Sequence, residues 1–143
     1  MIIEKLKVED IQSLLDLYKE LVTFKNSLEE SVEIYKEMLN NDKYILLAAK
    51  NENELIGSAL GICCKSLATS GKPFLVIEDV IVKGGLRGMG IGKKLFEALD
   101  EFAKENNCAY SILVSSDFRK EAHAFYENLG FVDGVKGFRK MYE

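Results

Sequence analysis

Arg87-Gly88-Met89-Gly90-Ile91-Gly92 sets three glycines into five residues at the start of a helical pattern. Glycine has no side chain to screen the main chain, and the first amides of a helix have no partner within it. Open N–H groups at the positive end of a helix make a cradle for an anion, above all a phosphate. Arg87, Lys93 and Lys94 add charge, and from Lys83 to Lys94 four cations stand without an acid. The same glycines also suit a tight turn and close helix packing with no ligand. Spacing excludes two phosphate motifs. A Walker loop needs lysine after its last glycine, where Gly85 and Gly90 are followed by Ile91, and the dinucleotide fingerprint needs glycine at the position of Lys93.

Glu78 and Asp79 are the second feature, two carboxylates inside the apolar run 74–82. A half-buried carboxylate is a proton acceptor whose affinity burial raises toward a useful range. Side chains alternate along a strand, so at most one of the pair faces a given cleft unless a bulge intervenes. A carboxylate paired with a lysine or capping a loop is the structural alternative for both. His123 is the only histidine and, drawn on a helix, points about 60° from Tyr126; it reads as a surface or substrate-side residue. Cys63, Cys64 and Cys108 are odd in number and lack a C-x-x-C spacing, and they read as reduced, buried small hydrophobes.

The elements that must position these groups follow from periodicity. Residues 2–7 form a strand. Ile11, Leu14, Leu15, Tyr18, Leu21 and Val22 recur at helical spacing, and a weaker helix runs from about Ser27 to Asn40. Tyr44–Ala49 and Leu55–Cys64 flank the turn Asn51-Glu52-Asn53-Glu54 as a hairpin, and Phe74–Val82 follows as a third apolar strand. Ile91, Leu95, Leu99, Phe102 and Ala103 stripe the strongest helix. Tyr110–Ser115 is a strand, Arg119–Leu129 a short helix stopped by Gly130, and Phe131 to Tyr142 gives one or two closing strands. The unit from 74 to 115 predicts a parallel strand pair, and the earlier hairpin makes the sheet mixed.

At 143 residues the chain fits one domain, 1–143, with a core large enough to need neither disulfide nor metal. A formal net charge of −4 disfavours nucleic acid, whose phosphates demand a basic face. No apolar run approaches the ~20 residues that cross a bilayer. The first ten residues lack the apolar core of a signal peptide, so no membrane partner and a cytoplasmic location are expected.

With these residues in view the chain resembles the GNAT superfamily of acetyl-coenzyme A-dependent N-acetyltransferases. Val80-Ile81-Val82, the short loop 83–86 and Arg87-Gly88-Met89-Gly90-Ile91-Gly92 match its main signature, a V-x-V strand end followed by R/Q-x-x-G-x-G/A opening a helix. Ala122, Phe125, Tyr126, Gly130 and Phe131 match its second, A-x-x-F-Y-x-x-x-G-F. Gly84-Gly85 departs from the family's usual proline, and Arg119 stands where many members have asparagine. The stretch from Arg119 to Tyr126 is similar to a subgroup that includes aminoalkylphosphonate acetyltransferases.

The resemblance implies an α/β (α+β) GNAT fold: a mixed, mostly antiparallel sheet of about six or seven strands flanked by about four helices. It implies transfer of acetyl from acetyl-coenzyme A to a primary amine of a small molecule or peptide, by direct attack in a ternary complex and without metal. Amides of Gly88, Met89, Gly90, Ile91 and Gly92, helped by Arg87 and Lys93, would hold the diphosphate. Val80, Ile81 and Val82 would bind the pantetheine arm as an added strand, with an N–H near Val80 polarising the thioester carbonyl. Glu78, or Asp79 as its rival, would take the proton, and Tyr126 would return one to the departing thiolate; a core aromatic is the plain alternative for Tyr126. Arg119 would pair with an acid or touch the cofactor phosphates. The N-terminal helices and the loop 66–72 would shape the acceptor site. Homodimers formed through strands or the C-terminal segment are common in that family. From other classes, a non-catalytic acyl-coenzyme A sensor and a basic-patch interaction domain remain as rivals.

Overall fold

The structure, a computed structural model, describes residues 1–115 and 120–142. Its contacts divide into two compact units, Met1–Ile112 and Leu113–Glu143.

In the first unit a sheet of order β1-β2-β3-β4-β5 is formed by β1 (Ile2–Lys5), β2 (Tyr44–Asn51), β3 (Glu54–Cys64), β4 (Phe74–Val82) and β5 (Ser111–Ile112). The first four strands are antiparallel in turn, and β4 and β5 are parallel. The mixed, mostly antiparallel sheet is thus as expected, but five strands are described in place of six or seven. The β2–β3 turn places Glu52 and Asn53 in the left-handed region, φ 51° and 68°, which is the geometry of a two-residue hairpin loop.

Helices cover both faces. A short 3-10 turn (Val8–Asp10), α1 (Ile11–Tyr18) and α2 (Leu28–Leu39) bury Leu6, Ile11, Leu14, Leu15 and Tyr35 against Leu46, Ala48, Leu55 and Ile81. Ser27 caps α2, its Oγ accepting the Glu30 N–H at 3.1 Å. On the other face α3 (Ile91–Glu105) buries Ile91, Leu95, Phe96 and Leu99. Glycine lets the helix approach: a Cβ at Gly61 would stand 2.9 Å from Leu99 Cδ2 and 3.0 Å from Ile45 Cγ2.

A buried ion pair joins β2 to the 3-10 turn. The Lys50 ammonium, 11% exposed, lies 2.8 Å from the Asp10 carboxylate and 3.6 Å from that of Glu4. Of the cysteines only Cys63 is buried; Cys64 and Cys108 are half-buried, and the Sγ atoms of Cys63 and Cys108 stand 3.8 Å apart.

In the second unit α4 (Lys120–Asn128) ends at Gly130, whose φ of 94° turns the chain so that the Phe131 N–H reaches the Tyr126 carbonyl at 3.1 Å. Two expectations are corrected. The strand expected over 110–115 is paired only at Ser111–Ile112, and residues 131–142 form no strand. Within that segment Gly134 and Gly137 weaken the extended state.

Candidate active site

The glycine turn is built as an open cradle. Gly88 and Gly90 take φ of 82° and 83°, the left-handed conformation that the absent Cβ permits, and Gly90 caps α3 without a side-chain bond. The Leu86 N–H reaches the Lys83 carbonyl at 3.1 Å, and the next amide with a backbone acceptor is that of Lys94, 3.2 Å from the Gly90 carbonyl. Among the described residues, the amides from Arg87 to Lys93 therefore have no backbone acceptor. Fixed N–H groups without partners, at the start of a 15-residue helix, hold positive potential where an anion can meet it.

Ile91 anchors this end of α3. It is 4% exposed, and a Cβ at Gly57 would stand 3.1 Å from its Cγ2. Arg87, Lys93 and Lys94 are exposed and make no ion pair among the described residues. Lys83, the fourth cation of the run, is different: its ammonium is bonded to the Glu54 carboxylate, which raises its proton affinity and neutralises its charge.

β4 leads into the cradle with one edge open. It pairs with β5 only at Leu75↔Ser111 and Val76↔Ile112, so from Ile77 to Val82 that edge has no strand beside it among the described residues. Ile81 lies 5% exposed in the cluster beneath α1 and α2, so it presents only main chain outward. Val80 and Val82 are half-buried.

The carboxylates sit on a bulge. Leu60 pairs with Glu78 and Ser58 with Ile81, leaving Asp79 and Val80 opposite Ala59 alone. Asp79 carries the bulge at φ 53°, unusual for a residue with a Cβ. Leu75 packs on the α3 face and Ile81 on the α1–α2 face although six residues apart, because the extra residue reverses the alternation. Both Glu78 and Asp79 are in consequence exposed.

Asp79, open on one side, is surrounded closely enough elsewhere that desolvation raises its pKa. No cation lies within ion-pair distance of it among the described residues. Sequence reasoning missed one neighbour: Tyr18 of α1, whose phenol is held above the usual range first by burial and then by the charge of Asp79. Tyr18 read as core because it lies on the apolar stripe of α1, and no local signal marks its hydroxyl.

Tyr126 belongs to the second unit. Half-buried on α4, it meets Phe125 and Phe131 edge-on, centroids 5.5 and 6.1 Å away. Arg119 lies outside the described residues. The loop 66–72 adjoins the opposite end of β4: Ser66, Leu67 and Gly71 line a cavity of about 550 Å³ with Asn106 at the C-terminus of α3. Antiparallel β3 and β4 meet there, several residues from the bulge, and α1 stands nearer to Asp79. Among the described residues no group of three His, Cys, Asp or Glu could hold a metal ion, and no helix is long and apolar enough to cross a membrane.

The pattern of the acetyltransferase (GNAT) family matches residues 10–131. A thialysine N-epsilon-acetyltransferase of Bos taurus is 28% identical over 147 aligned positions, spanning 93% of this chain and 85% of the relative. A glucosamine 6-phosphate N-acetyltransferase of Trypanosoma brucei brucei is 36% identical over 77 positions, 54% of this chain and 50% of that protein. In three dimensions the chain is similar to glucosamine-6-phosphate N-acetyltransferase from Arabidopsis thaliana, with TM-score 0.91, 25% identity and coverage of 99% and 98%.

Proposed function

The chain belongs to the acetyltransferase (GNAT) family and is an N-acetyltransferase, and on that premise we propose that it transfers acetyl from acetyl-coenzyme A to the primary amine of a small cationic acceptor, acting as one catalytic domain over 1–143. The observation that carries the donor assignment is the run of amides from Arg87 to Lys93 without backbone acceptors at the start of α3. That cradle fits a diphosphate: donors are fixed, Gly88, Gly90 and Gly92 leave no Cβ in the way, and Arg87 and Lys93 bring uncommitted charge. Arg119 assists at the phosphates.

The open edge of β4 suits an amide-bearing arm laid beside it as an added strand. Val80, Ile81 and Val82 offer main-chain donors and acceptors to it, and the N–H near Val80 polarises the thioester carbonyl. Acetyl-coenzyme A supplies the activated acyl group; the protein binds, orients and moves protons.

An alkyl ammonium with a pKa around 10.4 is neutral in fewer than about one molecule in a thousand at pH 7. A base is therefore needed beside the thioester. Glu78 takes this role, with Asp79 as the rival one residue along; both are exposed at the bulge of β4. Tyr126 donates its phenolic proton to the thiolate as it departs. Thialysine-like amines are the first acceptors to try, since a relative named for that substrate aligns over most of the chain.

The test is thiol release from acetyl-coenzyme A with an amine panel, comparing wild type, Glu78→Gln and Tyr126→Phe. Loss of about 10²–10⁴-fold in kcat is expected of a missing acid or base. If all three proteins give the same background rate, the reading is wrong.

A further inference from the structure

Two thiols meet where the chain leaves α3 and returns to the sheet. Cys63 lies near the end of β3, paired with Leu75, and its N–H donates to the Lys43 carbonyl at 2.7 Å. Cys108 follows shortly after α3. Its N–H reaches the Ala103 carbonyl at 2.9 Å, and the next amide, that of Ala109, reaches the Pro73 carbonyl at 2.8 Å. Backbone bonds thus hold both residues, and the 3.8 Å between their Sγ atoms is set by the fold. Bringing the sulfurs to the ~2.05 Å of a disulfide takes a shift of about 1 Å by each, within reach of a χ1 rotation.

One of the two can be met from outside. Cys63 lines the cavity of about 550 Å³ with Lys43, Lys65, Ser66 and Asn106, whereas Cys108 is not among its lining residues. That space admits one arm of a small organic disulfide, and the two lysines favour an arm that carries carboxylates. Cys64, the next residue of β3, alternates to the opposite face and stands outside the pair.

A bond between the two sulfurs would span 45 positions of chain, which hold β4, the glycine turn and α3. Closing that loop restricts the unfolded chain and so stabilises the folded one. The sulfurs stand beside the start of β4 and the cradle follows its end, so the bond forms away from the amides of Arg87 to Lys93.

We propose that Cys63 and Cys108 are a modification site, joined in a reversible disulfide by exchange with a small anionic disulfide admitted through the cavity. The Cys63 thiolate, its proton passed to water, attacks one sulfur of the reagent and expels the other as a thiolate. Cys108, likewise giving up its proton, then attacks Cys63 Sγ and expels the second reagent thiolate. Two protein thiols are oxidised, and one reagent disulfide is reduced to two thiols. Burial makes Cys108 slow toward reagent in bulk, but here the sulfur it attacks is already beside it.

The test incubates the full chain with oxidised glutathione, removes the excess, and follows free thiols, peptide masses and Tm. Wild type should lose the Cys63 and Cys108 thiols, yield a Cys63–Cys108 linked peptide pair and melt roughly 10 °C higher, with dithiothreitol reversing each change. Cys64→Ser should behave alike. Cys108→Ser should stop with glutathione on Cys63 and without that gain in Tm. In wild type, free thiols at both positions, glutathione retained on either one, or an unchanged Tm overturns the proposal.

Discussion

Gly57 of β3 lies directly against Ile91, the first residue of α3: a Cβ on the glycine would come within 3.1 Å of Ile91 Cγ2 and, on its other side, 3.1 Å of the Ile81 carbonyl oxygen. The contact ties the start of the cradle helix to the end of the strand whose open edge points at it. The proposed donors for the diphosphate and the proposed edge for the arm are thus joined by one close approach between backbone and side chain.

Gly57→Ala should therefore disturb binding more than its size suggests. Overpacking of this kind costs about 1–3 kcal/mol of stability, and here the shift falls on the Ile91 end of α3. Calorimetry should give a several-fold weaker Kd for coenzyme A; an unchanged Kd would show that the cradle does not depend on this contact.

Replacing Gly90 by alanine tests the cradle itself. At φ 83° a Cβ is strained by about 1–2 kcal/mol, and the turn relieves the strain by moving the amides it presents. A lower Tm together with weaker coenzyme A binding is expected, measured by thermal melting and titration.

Asp79→Asn should separate stability from activity. Desolvation raises the carboxyl's pKa, so the folded state holds this proton more tightly than the unfolded chain does. The resulting stability is full below the unfolded value of 3.8 and is lost as pH rises through the raised folded value. At neutral pH the carboxylate is thus a burden on the fold, and asparagine also accepts a positive φ readily. Tm at pH 7 should rise by roughly 1–4 °C while the KM for amines rises too. A fall in Tm would contradict the assignment.

The Lys50–Asp10 pair has the opposite sign. Burial pushes the Asp10 carboxyl up, but the Lys50 and Lys7 hydrogen bonds and their charges outweigh it and hold it below 3.8. Its stabilisation is present above that value and fades as pH falls through the lowered folded one; that of Lys50, raised first by the Asp10 hydrogen bond, is full below 10.5 and fades as pH climbs past it. Asp10→Asn should cost about 1.5–3 kcal/mol near neutrality. Denaturant titrations at descending pH should show the two proteins converge as pH falls through the lowered folded value of Asp10.

Cys108 should be a slow thiol. Burial, and then the Cys63 hydrogen bond, push it from 9.0 to about 11. At pH 8 it would hold about a hundredfold less thiolate than an ordinary protein thiol. Iodoacetamide followed by peptide mass mapping should find Cys108 lagging free cysteine by that order, and equal rates would refute the burial argument.

The glycine turn at the start of α3 was legible because its signal is local. Glycine spacing, flanking cations and the apolar stripe of α3 lie within one stretch of chain and need no partner to be read. The same holds for the hairpin turn at Glu52-Asn53. Glu78 and Asp79 were visible as charges in an apolar run, but alternation alone kept them on opposite faces.

Tertiary structure decided the rest, since register is a property of two strands and not of one. Pairing of Leu60 with Glu78 and Ser58 with Ile81 creates the bulge at Asp79, and the two-rung β4–β5 ladder leaves the edge from Ile77 to Val82 open. Lys83 dropped out of the cationic run because Glu54, far away in sequence, lies beside it. The sequence alone determined the main helices, the first four strands and the glycine turn that opens α3, because those follow from short-range sterics and periodicity, whereas the strands expected at 110–115 and 131–142 were cut short or not formed. Which strands pair in which register, and which cation meets which carboxylate, was decided only by long-range packing.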